Sequence, residues 1–274
     1  MCKVSTCLNN SIRMNIPEIT GLPEGEPRTH FVEDLIENRL TYDGVNHGQA
    51  VVDLWTNAGR LVNSGEEGSR DDWRNVIRHM VAQSLFAETM AEEMKLDPVK
   101  QEILRIAGAI HDWDKRLDFE KSRRIRSEEA MKWEDIRGVL SLLPKGSLRA
   151  MEGTTENHIA GTLAFQEGDR IDWMRRLTHW TDNLFQEDEM VGWRERVASE
   201  RARRADLDTD PRMLGRLEGA QDATYWDAEE RLSRETEQHV FEKLQAAGAE
   251  VFSPEQVADY IQGKVQDRIA AFAA

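Results

Sequence analysis

The sequence predicts an all-α fold, and three observations carry that prediction. Apolar residues recur at helical spacing in successive segments, helix-starting and helix-ending residues stand at the borders of those segments, and no segment sustains the alternation of a strand. With 39% hydrophobic residues in 274, the chain holds enough apolar material for a core.

The elements follow in order. Residues 1–30 contain "ITGLPEGEPRTH", rich in Pro and Gly and without a period, and read as an N-terminal arm. In "HGQAVVDLWTNAGRLV" the residues Val51, Leu54, Ala58 and Leu61 repeat at three or four, which is a helix. "NSGEEGSRDD" breaks the pattern. Val76, Met80, Gln83, Ala87, Met90 and Met94 then trace one face of a second helix, with Asp71 and Asp72 near its positive N-terminal end. In "KLDPVKQEILRIAGAIHD", Asp97 is the cap and Pro98 the first helical position, and the helix through Ile103, Ile106, Ala107 and Ile110 delivers His111 and Asp112 at its far end. Further helices are expected at "SEEAMKWEDIRGVLSLL", closed by "PKGS", at "ENHIAGTLAFQ" and at "IDWMRRLTHWTDNLF". From Met190 the chain becomes densely and mixedly charged, and a last helix is introduced by the Ser253–Gln256 capping pattern. The expected organisation is an arm (1–30), a helical domain (31–190) and a charged helical extension (191–274) that packs on the core or forms a homo-oligomer interface.

Composition limits the function. Charged residues make up 32% of the chain and the formal net charge is −15, so the average surface repels phosphates and broad nucleic-acid binding is not expected. No apolar run approaches the roughly 18 residues of a membrane span, and no basic region followed by an apolar stretch marks a secretory signal. A cytoplasmic location is expected. The two cysteines, Cys2 and Cys7, provide neither a disulfide framework nor a four-thiolate zinc site within one chain. A metal would have to be held by carboxylates and histidines, of which there are seven: His30, His47, His79, His111, His158, His179 and His239.

The stretch "GAIHDWDK" places His111 and Asp112 side by side at the end of an apolar helix, with Lys115 three residues on. Such a pair alone is a common helix end. Its surroundings add to it: His79 lies on the preceding amphipathic helix, in "IRHMVAQSLFAETMAEEM", and a histidine among apolar neighbours needs partners for its ring nitrogens. Asp182 lies on a later helix, in "LTHWTDNLF", among Leu177, Trp180 and Leu184, where a carboxylate needs a cation or donors.

This ordered set resembles the HD-domain metal-dependent phosphohydrolase superfamily across residues 75–190, chiefly through "RHMVAQSLFAETMAEEMKLDPVKQEILRIAGAIHDWDK" and "THWTDNL". The resemblance implies an HD-domain helical bundle with His79, His111, Asp112 and Asp182 as ligands of a divalent transition metal (Mn, Fe, Co, Ni or Zn). One ion is expected, with two as the alternative. Asp112 and Lys115 would be catalytic, and Lys115, Arg116 and His158 would contact a small phosphorylated substrate, a nucleotide or related metabolite, attacked by metal-activated water. Such a donor set with open positions polarises a phosphoryl oxygen and acidifies bound water. Lys121, Arg123, Arg124 and Arg126 are further basic residues, open equally to a phosphate clamp and to a solvated helix face.

His158 falls where two-metal members of the superfamily place an extra ligand, and His179 shares a helix face with Asp182. They motivate a second reading, a di-iron oxygenase on the same scaffold. The charged extension motivates a third, a non-catalytic regulatory or interaction module. His47 could line a pocket, whereas His30 and His239 read as surface residues. Trp113, Trp173 and Trp180 read as packing before base stacking. The Glu-Asp pair of guanosine tetraphosphate hydrolases and the Gly-Tyr-Pro signature of cyclic-di-GMP phosphodiesterases are absent. So are a phosphate-cradling glycine loop and a Ser-His-Asp hydrolase elbow.

Overall fold

A computed structural model describes residues 27–62, 69–115, 127–187 and 189–273. Cys2, Cys7, Arg116, Lys121, Arg123, Arg124 and Arg126 lie outside the described residues. The fold is all-α. Its helices in chain order are α1 (Pro27–Asp34), α2 (Gly48–Val62), α3 (Ser69–Glu93), α4 (Pro98–Ile110), α5 (Ser127–Leu140) and α6 (Lys145–Met151). They continue with α7 (Glu156–Gly161), α8 (Trp173–Asp182), α9 (Trp193–Arg203), α10 (Pro211–Leu217), α11 (Tyr225–Ala247) and α12 (Val257–Ala273). Among the described residues no helix is long and apolar enough to cross a membrane.

Several borders follow the sequence signals. Asp97 caps α4, its Oδ1 accepting from Lys100 N at 3.1 Å, with Pro98 in the first turn where no N–H is required. Thr155 and Asp172 cap α7 and α8 in the same way. Other borders differ. Pro27–His30, assigned to the arm, open α1. "PKGS" starts a helix as well as ending one, because Pro144 is the N-cap of α6. "ENHIAGTLAFQ" breaks into α7 and a separate 3-10 turn at Leu163–Phe165. Ser253 makes no side-chain cap bond; a 3-10 turn (Pro254–Gln256) intervenes before α12.

Two short antiparallel hairpins also depart from the all-helical expectation: β1 (Thr41–Tyr42) with β2 (Val45–Asn46), and β3 (Phe185–Gln186) with β4 (Glu189–Met190). The first turns through Asp43 and Gly44, both at positive φ, as a two-residue hairpin loop requires.

Helix α3 lies between two apolar clusters. Val76, Ile77, Met80, Val81 and Leu85 pack with Leu35, Val51 and Trp55 of the N-terminal elements. Phe86, Ala87, Met90 and Met94 pack with Trp180 and with residues beyond 190, among them Trp193, Trp226, Leu232 and Ile261. The apolar face of the charged extension is therefore part of the main core, and each large side chain buried there contributes about 1.5–3 kcal/mol.

Specific contacts fix how α3 meets its neighbours. Against α4 the closest approach is at Gly108, where a Cβ would stand 2.8 Å from Ser84 Cα. Ser84 Oγ also donates to the Arg105 carbonyl at 2.8 Å. Against α8, the buried Gln83 amide donates to Thr178 O at 3.1 Å and Thr181 Oγ1 at 3.0 Å. Toward the far end of α3, the fully buried Glu88 carboxylate meets Arg39 at 2.6 Å, Arg105 at 2.8 Å and Arg268 at 3.5 Å. Arg268 of α12 also reaches Thr89 Oγ1 at 3.0 Å, and Tyr260 donates to Glu93 at 2.6 Å. Burying one carboxylate among three guanidinium groups satisfies the rule that interior charges be paired.

Candidate metal centre

The contacts of α3 with α4 and α8 bring the ends of three segments together. His79 projects from α3, His111 caps the C-terminal end of α4 with Asp112 in the following turn, and Asp182 is the last residue of α8. One ligand atom from each lies within 4.8 Å of the others, so this group could hold a metal ion. Both imidazoles are buried, and both carboxylates are largely so.

The hydrogen-bond pattern suits the group to a cation. His79 Nδ1 is 2.5 Å from the Glu187 carbonyl oxygen, and His111 Nδ1 is 2.9 Å from that of Gly108. A carbonyl only accepts, so each Nδ1 carries a hydrogen, and a ring with no second hydrogen presents a lone pair at Nε2. Those Nε2 atoms face one another at 3.0 Å. Asp182 Oδ1 lies 3.0 Å from His79 Nε2 and 3.3 Å from His111 Nε2, while Asp112 Oδ2 is 3.6 Å from both. Four atoms able to accept thus converge, an arrangement that calls for a proton or a metal ion among them. Backbone carbonyls orienting the outer ring nitrogens are the usual support for metal-bound imidazole.

The electrostatics agree. Burial acts to raise the Asp182 pKa, but hydrogen bonds and charge from His111 and His79 outweigh it and hold the carboxyl well below its usual range. Burial likewise opposes the lowering of Asp112, which His111 and Lys115 bring about. For His111, burial favours the neutral ring, yet Asp112 and Asp182 together raise its pKa. The cleft attracts positive charge, and a proton on His111 is the simplest occupant.

Lys115 lies at the rim and its Nζ donates to Asp112 Oδ2. Two residues not singled out in the sequence join it. Asp114 is half-buried, and burial followed by the Asp112 charge pushes its carboxyl up. Arg196 of α9 is near enough to act against the Lys115 charge. It pairs with Glu200 at 2.5 Å. The "HDWDK" motif contains Asp114 openly; Arg196 is hidden in a tract where arginines are frequent.

The remaining sequence candidates lie elsewhere. His158 Nε2 is 3.3 Å from Glu152 Oε2, and Arg175 pairs with the same carboxylate. Although His179 is on the Asp182 helix, it points to α11: its Nε2 meets Glu229 at 2.6 Å, and Tyr225 donates to the other Glu229 oxygen at 2.7 Å. Among the described residues, the four-atom group contains neither His158 nor His179. His47 immediately precedes α2 and accepts from Val51 N through its backbone. His30 is exposed as expected, with Glu33 at 3.3 Å. His239, expected at the surface, is instead half-buried and stacks on Trp173 with ring centroids 3.5 Å apart and planes at 9°. Trp113 and Trp180 belong to the core.

No protein-family model, curated protein or solved structure matches the chain. The helical fold with its His/Asp group is compatible with an HD-type domain.

Proposed function

We propose that the protein is a metal-dependent phosphohydrolase of the HD-domain type, cleaving a small phosphate ester such as a nucleotide or related metabolite. The observation that carries this reading is the convergence of four acceptor atoms from His79, His111, Asp112 and Asp182 on one buried point, beside a lysine at the rim. The donor set fits a divalent transition ion, which when bound supplies Lewis-acid polarisation of phosphoryl oxygen and lowers the pKa of water.

The chain's own groups divide the remaining work. The carbonyls of Gly108 and Glu187 keep the imidazole lone pairs turned inward. Lys115 restrains Asp112 and presents ammonium donors at the rim, where they can hold a phosphate oxygen by charge-assisted hydrogen bonds. Arg116 follows it in sequence as a second phosphate contact. His158 would reach substrate only by leaving Glu152. The engagement of His158 with Glu152 and of His179 with Glu229 favours one ion over two.

The test is metal content by inductively coupled plasma mass spectrometry, with phosphate and nucleoside release from a nucleotide panel in Mn, Co or Ni. The expected result is one equivalent of metal and metal-dependent release, both lost in His111→Ala/Asp112→Ala. No release, or equal release by the double variant, overturns the reading. Two irons with oxygen consumption would replace it by the oxygenase, and no metal with unchanged partner binding by the interaction module.

A further inference from the structure

We propose that a second cavity, lined in part by the β3–β4 hairpin, binds an uncharged amphipathic small molecule. The cavity, open to solvent on one side, measures about 410 Å³ between α1, α3, the hairpin and α12. That volume is typical of small-molecule sites, which are mainly apolar with a few polar groups that fix orientation. Its deep lining is hydrocarbon: Phe31 and Val32 from α1, Val81 and Leu85 from α3, Phe185 from the hairpin and Val265 from α12. These six are almost fully buried, yet they border open space. A hydrocarbon body is the occupant that matches these walls.

The polar groups decide the head. Glu189, Gln262 and Gln266 line the cavity with Arg78, which is already partnered. Glu189 offers a carboxylate acceptor, and the two glutamine amides offer both donors and acceptors. A hydroxyl or neutral amide can donate to the carboxylate while accepting from an amide. A carboxylate or phosphate head would instead meet Glu189 with like charge. The site therefore differs in kind from the metal centre, whose proposed substrate is an anion.

The hairpin joins the two sites physically. Phe185, Glu189 and Met190 line the cavity, while the Glu187 carbonyl in the same hairpin turn holds His79 Nδ1 and the Phe185 ring lies 6.3 Å from the His79 ring. Occupancy of the cavity does not depend on metal, so the two proposals fail separately.

The experiment is equilibrium dialysis of the full chain with radiolabelled decan-1-ol, and with decanoate as the charged counterpart. Saturable binding of one decanol per chain is expected, with decanoate weaker by about tenfold or more. Ala82→Trp, which fills the cavity from α3, and Val265→Phe, which narrows it from α12, should each weaken decanol binding by about tenfold. Circular dichroism reports whether each variant is folded, so either variant suffices. The His111→Ala/Asp112→Ala chain should bind decanol unchanged, which separates this site from the phosphohydrolase reading. Decanol binding that does not saturate, that persists in a folded cavity variant, or that is matched by decanoate overturns the proposal.

Discussion

The Nε2 atoms of His79 and His111 face one another at 3.0 Å while both Nδ1 atoms are held by carbonyl oxygens. Two lone pairs at that distance repel unless positive charge lies between them. A proton or a metal ion can supply that charge, and metal should therefore act as a folding ligand.

Metal at about 100 times its Kd should therefore raise the unfolding free energy of the wild type by about 2.7 kcal/mol. The His111→Ala/Asp112→Ala chain should show no such rise. Thermal melts with and without Mn or Co check this; equal stabilisation of both chains would place the ion elsewhere. Because the proton on His111 competes for the same space and its pKa is raised, metal affinity should fall as pH drops into the His111 titration.

Gly108 is the contact that lets α3 and α4 approach. In Gly108→Ala the new methyl would lie 2.8 Å from Ser84 Cα and 2.9 Å from Ser84 N, so backbone has to move. Destabilisation of about 1–3 kcal/mol is expected, together with weaker metal binding because His111 shifts with α4. Ser84→Gly in the same chain should not rescue it, since the clash is with backbone. Gly138 of α5 meets nothing within 4 Å, and Gly138→Ala should be neutral or stabilising. Denaturant melts of the two alanine variants give the comparison.

Lys115→Gln separates holding the metal from using it. The ammonium donates to Asp112 but is not one of the four converging groups. Metal content should stay at one equivalent while kcat/KM for phosphate release falls about 100-fold, or about 2.7 kcal/mol of transition-state stabilisation. Loss of metal together with activity would make Lys115 a structural support of Asp112.

His239 should make stability depend on acid. Burial against Trp173, then the nearby Lys243 charge, lower its pKa from 6.5 to about 4, with Glu242 opposing. The unfolded chain therefore binds a proton first as pH falls, so stability declines from about pH 6.5 to about pH 4 and is constant in this respect above and below. His239→Phe keeps a ring against Trp173 and cannot titrate. It should retain about 1 kcal/mol more of its neutral-pH stability at pH 4, after allowance for screening at a half-buried site. Melting temperatures of both chains across that range test it.

The all-α class was legible because it rests on side-chain spacing, and the four converging groups were picked out through the resemblance of their segments to the HD-domain superfamily. Val76, Met80, Gln83, Ala87, Met90 and Met94 do form one buried face, and Asp97 and Pro98 do start α4. The supports of the site were not legible, because carbonyls carry no letter: the Gly108 and Glu187 oxygens exist in every sequence. Gly108 becomes informative only once Ser84 is known to lie against it. The β1–β2 turn was signalled by Asp43-Gly44 in "YDGV", a hairpin pair lost among helical periods. The positions of His179 and His239 depended on α11, whose packing no local pattern specifies. Arg196 was one arginine among many.

The clamp on α3 also has a consequence for biosynthesis. His79 is translated early, but two of the groups that fasten the other end of its helix, Tyr260 on Glu93 and Arg268 on Thr89, come 167 and 179 residues after their partners. Until that stretch has left the ribosome, Phe86 and Met90 lack much of the apolar cover that α11 and α12 bring. The nascent chain therefore carries a half-dressed central helix, which is the kind of surface that chaperones hold.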